Sequence, residues 1–332
     1  WAQGGAGVLV TGNVMVAESG KGLINDVVIS DDRSLEMLKK WAKAGTQNDT
    51  LLIMQINHAG KQSPAVVNKT PLAPSAVPLV GMDGFINPPR ELSADEINGL
   101  IQQFVQTAKI AEQAGFSGIQ IHAAHGYLIS QFLSPHHNRR QDQWGGSLEN
   151  RMRFPLAVVD AVAAVRDKHQ RNDFIIGYRF SPEEAGENGL TMIETGALID
   201  ALVQKPLQYL HVSLWEFDKK IRRGGDTAQT RMQFIHDRIN GKLPLIGVGN
   251  LFTADQILAA YETGWAEFIA LGKTVMLNPH IATQVLEGRE AEIETQLDTT
   301  RADHYGFPDT LWKLAASGTQ SWLPPVKGAD WK

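Results

Sequence analysis

Val8-Leu9-Val10-Thr11-Gly12-Asn13-Val14 is a short β-rich run that turns at a single glycine. A strand flanked by helices can belong to an open doubly wound sheet or to a closed (β/α)8 barrel. The open sheet usually carries a Gly-rich dinucleotide turn after its first strand. Thr11-Gly12-Asn13-Val14 is not such a turn, and the barrel is the expected fold.

Outward from that run, six more strand candidates alternate with segments of helical period: Leu51 to Asn57, Gly118 to Ala123, Phe174 to Phe180, Tyr209 to Ser213, Leu243 to Gly249 and Glu267 to Gly272. The helices expected between and after them are Ser34 to Gly45, Ala94 to Ala114, Leu148 to His169, Met192 to Val203, Ala228 to Ile239, Thr253 to Thr263 and Thr274 to Leu286. Ser93 and Glu96 have the spacing of a capping box, and Pro155 should kink its helix or mark its true start. Strands with helices on both sides imply a parallel sheet. A (β/α)8 TIM barrel needs eight strands, whereas seven are legible, and Trp1 to Gly7 reads as a helix end turning into a strand. The expectation is that the first strand precedes Trp1. The segment from Asn57 to Leu92 holds six of the fifteen prolines and is expected to form a rim loop on the side where barrel active sites lie.

Composition excludes several classes of function. Thirty-one Lys and Arg against 36 Asp and Glu give a net charge of −5, so nucleic acid and anionic membrane surfaces are not expected partners. Apolar runs such as Leu51 to Met54 are far short of the roughly 20 residues that span a bilayer, and no secretory signal is read. The absence of Cys removes disulfides, a thiol nucleophile and Cys-ligated zinc or iron–sulfur clusters, and is compatible with a cytoplasmic location.

Two constellations could carry chemistry. His122-Ala123-Ala124-His125-Gly126-Tyr127 closes a strand; a spacing of three brings both imidazoles to one side only if the chain has begun to turn, which favours a loop-borne pair. A metal site, a hydrogen-bond clamp and satisfied core histidines are the three options, and the next carboxylate along the chain is Asp142. Neutral imidazoles can donate to a carbonyl or phenolate oxygen, and the Tyr127 hydroxyl can supply a proton. The second is a phosphate cradle, Gly247-Val248-Gly249-Asn250 with Leu271-Gly272-Lys273, in the loops after the last two strands, with glycines that merely make tight turns as the alternative. Gln55 and Arg179 are polar residues inside apolar strands. Arg179 needs either an anionic ligand or a partner such as Glu183 or Glu184. The basic run Lys219 to Arg223 could receive a nucleotide phosphate, although such runs are usually only solvated.

With Gln55-Ile56-Asn57-His58-Ala59-Gly60-Lys61, Ile121 to Ile129, Gln131 to Pro135, Asn138-Arg139-Arg140, Trp144-Gly145-Gly146-Ser147 and Glu149-Asn150-Arg151 added, the sequence resembles the old yellow enzyme family of FMN-dependent NAD(P)H:flavin oxidoreductases. The resemblance implies one FMN-binding TIM barrel over residues 1–332 with its rim loop at 57–92. It implies noncovalent FMN, with Gln55 at the polar edge of the isoalloxazine, Arg179 beside its N1/O2 region, and Gly249, Asn250, Gly272 and Lys273 around the phosphate. His122 and His125 would clamp the carbonyl of an electron-poor alkene, Tyr127 would protonate its α carbon, and NAD(P)H would reduce the flavin in a ping-pong cycle. The implied partner is a small enone, and homo-oligomerisation is left open. Lys273 where the family usually has Arg, and Trp144 where Tyr is common, depart from the pattern. The competing readings are a metal-dependent hydrolase or lyase built on His122 and His125, and a non-catalytic flavin-binding protein.

Overall fold

The computed structural model describes residues 1–80 and 86–329, so residues 81–85 of the expected rim loop lie outside the described residues. Eight strands form one parallel sheet: β1 (Val8–Met15), β2 (Val27–Val28), β3 (Leu51–Asn57), β4 (Gly118–Ala123), β5 (Ile175–Phe180), β6 (Tyr209–Val212), β7 (Leu245–Gly247) and β8 (Phe268–Ile269). Their order is β8-β7-β6-β5-β4-β3-β1-β2. All seven expected strands are present. The eighth, β2, is a two-residue edge pairing with Val14 and Met15, too short to carry a period-2 signal. From β2 onward each connection between successive strands carries an α-helix, the architecture of the TIM barrel.

The helices are α1 (Leu35–Gly45), α2 (Ala94–Gln113), α3 (Leu128–Leu133), α4 (Leu148–Lys168), α5 (Met192–Leu202), α6 (Arg231–Ile239), α7 (Ala254–Glu262), α8 (Lys273–Leu277), α9 (Ile281–Leu286), α10 (Ala302–Tyr305) and α11 (Asp309–Ala316). The capping box at Ser93 and Glu96 forms, and Thr191 with Glu194 and Thr253 with Gln256 form two more. Pro155 lies inside α4, so of its two expected effects the helix start is excluded. Two expectations are corrected. The helix expected from Ala228 starts at Arg231, because Thr230 is its N-cap. The helix expected from Thr274 to Leu286 is two helices: Pro279 has no N–H to continue the ladder, so α8 stops at Leu277 and α9 begins at Ile281.

Residues alternate strictly along the central strands. Met54, Ile56, Ile119, Ile121, Ile176, Tyr178, Leu210 and Val212 face the helices and form the main core. The opposite face is polar and arranged in rows, since side chains at paired positions on parallel strands point the same way. The deeper row is Gln55, Gln120, Gly177 and Tyr209. Nearer the C-terminal mouth stand His122, Arg179 and His211. Gly177 has a definite purpose, because a Cβ there would overlap the Tyr209 ring that crosses its strand to reach Gln120. A second cluster of Leu277, Leu297, Tyr305, Ala315, Leu323 and Val326 packs the C-terminal segment against α8. Among the described residues no helix is long and apolar enough to cross a membrane.

Gly177→Ala forces the Tyr209 ring out of that row, and overpacking of this kind costs about 1–3 kcal/mol. Thermal unfolding should show a lowered Tm; an unchanged Tm would show that the ring does not occupy this space.

Candidate functional site

Because the strands are parallel, every strand-to-helix loop emerges at one end, and these loops wall a cavity of about 1450 Å³. His125, Tyr127, Arg179, Asn250, Gly272 and Lys273 all line it. Gln55, His122 and Gly249 are not among its lining residues. Gln55 is one row deeper, 3% exposed, and gives its amide proton to Gln120 Oε1 at 2.6 Å.

Arg179 forms the floor. Neither carboxylate that could have neutralised it does so. Glu183 holds Arg231 Nε at 2.5 Å and accepts from the backbone of Arg222 and Arg223, while Glu184 accepts from Ser134 Oγ at 2.6 Å and Leu190 N at 2.9 Å. The guanidinium instead donates from Nη2 to Ser213 Oγ at 3.1 Å, and its buried Nε has no partner among the described residues. Burial lowers its pKa to about 10, which still leaves it cationic at neutral pH.

The two histidines stand differently. His122 is still in β4, whereas His125 lies beyond it in the left-handed region at φ 59°, so only one of the pair is loop-borne. His122 Nδ1 accepts from Ala124 N at 3.1 Å, which puts the proton of the neutral ring on Nε2. His125 Nε2 lies 2.6 Å from Ser213 Oγ. Arg179 donates to the same oxygen, so Ser213 joins the guanidinium to the His125 ring. Burial first and the Arg179 charge second bring the His125 pKa down to about 4; burial, His125 and Arg179 hold His122 well below its ordinary value. Both rings are therefore neutral donors at neutral pH. The Tyr127 ring lies 5.0 Å from His122 and 6.2 Å from His125. Burial and then Asp26 raise its pKa, with Asn13 acting in the opposite direction, so the phenol stays protonated at neutral pH.

Tyr127 is the N-cap residue of α3, whose position is braced from behind. Asn138 Nδ2 donates to the carbonyls of Phe132 and Trp144, both at 2.7 Å, and Arg151 Nη1 donates to Leu133 O at 2.5 Å. The Asn138, Trp144 and Arg151 motifs thus brace the helix that Tyr127 caps without lining the cavity.

At the far end, Lys273 Nζ donates to Asn250 Oδ1 at 3.2 Å and stands 5.1 Å over the Trp215 ring. Gly249 is required there because a Cβ would overlap the Phe217 backbone. Of the basic run, Lys219 pairs with Glu216 at 2.9 Å, and Arg223 bonds the Glu184 and Leu190 carbonyls. The rim loop contributes Gln62 to the main cavity, and its residues 66–68, 70 and 72 line a separate one of about 560 Å³. Leu314, Gln320 and Trp322 of the C-terminal segment complete the mouth.

Sequence reasoning missed Ser213, Asn13, Asp26, Gln120 and His211. Gln120 and His211 carry the signal that singled out Gln55 and Arg179, a polar residue inside an apolar strand; Ser213 and Asn13 carry none. Among the described residues no three His, Cys, Asp or Glu side chains are grouped to hold a metal ion.

The chain matches the NADH:flavin oxidoreductase / NADH oxidase family over residues 1–292. It is 40% identical over 320 residues to the probable NADH-dependent flavin oxidoreductase YqiG of Bacillus subtilis (strain 168), a match covering 96% of this chain and 84% of that protein. It is 32% identical over 318 residues to NADH:acrylate oxidoreductase of Vibrio harveyi, covering 94% of this chain but 31% of that longer protein. The solved structure of the old yellow enzyme homologue from Zymomonas mobilis is similar with a TM-score of 0.74 at 26% identity, over 89% of this chain and 83% of the other.

Beside the cavity, His58 is buried, accepts from Gly60 N at 3.0 Å through Nδ1, and is held neutral down to about pH 4 by burial. Below about pH 6.5 the unfolded chain binds a proton that folded His58 refuses, so stability falls with acid by about 1.4 kcal/mol per pH unit between those values. Urea unfolding of the protein and of His58→Gln at pH 6.5 and pH 5 should show a smaller pH dependence in the variant. Equal slopes would show that His58 is protonated in the folded state.

Proposed function

The chain belongs to the NADH:flavin oxidoreductase / NADH oxidase family and is of old yellow enzyme type, and we propose that it reduces the C=C bond of small α,β-unsaturated carbonyl compounds. The observation that carries this reading is the buried Arg179 guanidinium, uncompensated by a carboxylate, on the floor of a cavity that also presents His125 and Tyr127.

The residues fit a flavin. Arg179 has an unfilled donor and a charge that favours an anionic ring edge, and the cavity of about 1450 Å³ extends from it to Asn250, Gly272 and Lys273, where a phosphate would be held. FMN held there would supply hydride transfer, from NADH to the β carbon of the alkene.

The chain's own residues do the rest. His122 Nε2–H and the His125 ring N–H donate to the substrate carbonyl oxygen, drawing charge from the alkene and stabilising the enolate that develops. Because both rings are already neutral, no proton is lost in forming the clamp. Tyr127 delivers its hydroxyl proton to the α carbon from the wall it shares with Asn13. Acrylate, named in the Vibrio harveyi relative, is an electron-poor alkene of the size this chemistry suits. The NADH-dependent names of the relatives support NADH as the donor.

Tyr127→Phe should slow oxidation of the reduced enzyme by an enone by about 10²–10⁴-fold while NADH reduces the flavin at close to the parent rate. Stopped-flow absorbance of the two half-reactions separates these steps; equal oxidation rates would remove Tyr127 as donor. Replacing both His122 and His125 by Ala should abolish the binding of phenols, and normal phenol binding would refute the clamp. A purified protein that takes up no FMN would refute the reading as a whole.

A further inference from the structure

His211 is 5% exposed on β6 and pairs in register with Arg179 on β5, so the two side chains rise from neighbouring strands on the same face. Its hydrogen bonds fix where its proton sits. Gln120 Oε1 accepts from Gln55 Nε2 at 2.6 Å, which leaves the Gln120 amide nitrogen as the donor; it gives to Tyr209 Oη at 2.9 Å and to His211 Nδ1 at 3.0 Å. With Nδ1 accepting, a neutral His211 carries its proton on Nε2. The ring is kept neutral by burial and by the Arg179 charge. Neither that Nε2–H nor the Nε–H of Arg179 has an acceptor among the described residues.

Two buried donors side by side, one of them cationic, cost free energy unless an acceptor meets them. Arg179 lines the cavity, so an acceptor can arrive from that side. We infer that His211 is a flavin-binding residue: its Nε2–H and the Arg179 guanidinium together serve one acceptor edge of the ring system, the pyrimidine edge that carries the carbonyl oxygens. Gln55 then acts through Gln120 as a positioning residue, holding His211 in the required tautomer from the deeper row. The inference rests on the flavoenzyme reading, and it assigns a function to the polar residues inside β3, β4 and β6.

The test is titration of FMN into the apoprotein, followed by quenching of flavin fluorescence, together with the reduction potential of the reconstituted protein. His211→Leu removes the donor, and the FMN Kd should rise about tenfold, the size of one lost hydrogen bond to a charged or polarised acceptor. Its reduction potential should fall, because the donor stabilises the electron-rich ring. His211→Gln keeps an N–H near the same position and should recover most of both properties. Gln120→Met leaves the cavity wall untouched but frees the tautomer, and should weaken FMN binding by a smaller factor. A His211→Leu protein with parent affinity and potential overturns the inference and leaves the flavoenzyme reading standing. If that variant does not fold, parent affinity in Gln120→Met overturns it instead. A parent protein that binds no FMN overturns both.

Discussion

A guanidinium buried among imidazoles constrains everything around it. Arg179 stands between His122 and His211 in the row nearest the barrel mouth, and its charge adds to burial in keeping His122, His125 and His211 neutral. Protonating any of them would place two cations side by side in a poorly solvated interior. The cation thus fixes the protonation state of the clamp. It also ties His125 into the same network, since the Ser213 hydroxyl that accepts from Arg179 Nη2 lies 2.6 Å from His125 Nε2. An isolated buried cation is costly, and the structure withholds the obvious relief by engaging Glu183 with Arg231 and Glu184 with Ser134. What remains is a cavity floor whose guanidinium pairs with no carboxylate among the described residues.

The barrel meets this constraint with two rows of different stiffness. The deeper row, Gln55, Gln120 and Tyr209, is closed by short hydrogen bonds across three strands and depends on Gly177 for room. The upper row is anchored to it through His211 and opens to the cavity through Arg179. His125 and Tyr127, which line the cavity, are on the following turn, where Tyr127 caps α3. That short helix is held by the carbonyl bonds of Asn138 and Arg151 rather than by its own length. Precision at the loop is thereby borrowed from packed helices behind it.

How far this was legible in the sequence follows from the same physics. Strand identity was legible wherever apolar residues recur with helices between them, and β3 and β4 emerged with the expected bounds. The polar residues inside those strands were visible as anomalies, which is why Gln55 and Arg179 could be singled out. Their partners were not, because register decides them: nothing local says that Gln120 opposes Gln55, or that Arg179 lies between two histidines some 57 and 32 positions away along the chain. The break at Pro279 was readable and follows from one missing N–H. Ser213 and Asn13 carry no signal of their own, since hydroxyl and amide side chains at strand ends are ordinary, and only the fold brings them to His125 and Tyr127.

Lys273 shows how a departure from a family pattern can be absorbed. A guanidinium binds a phosphate with a planar fork; an ammonium is a point charge that needs other groups to orient it. Here the orientation comes from the Asn250 carbonyl oxygen at 3.2 Å and from the face of Trp215 at 5.1 Å. Asn250 is itself held in the left-handed region at φ 46°, where its short polar side chain is tolerated. Burial lowers the Lys273 pKa. The proposed phosphate contact thus falls to a cation positioned by Asn250, by Trp215 and by the Phe252 ring 6.0 Å away. Geometry that the guanidinium would carry within one side chain is here distributed over the loops after β6, β7 and β8.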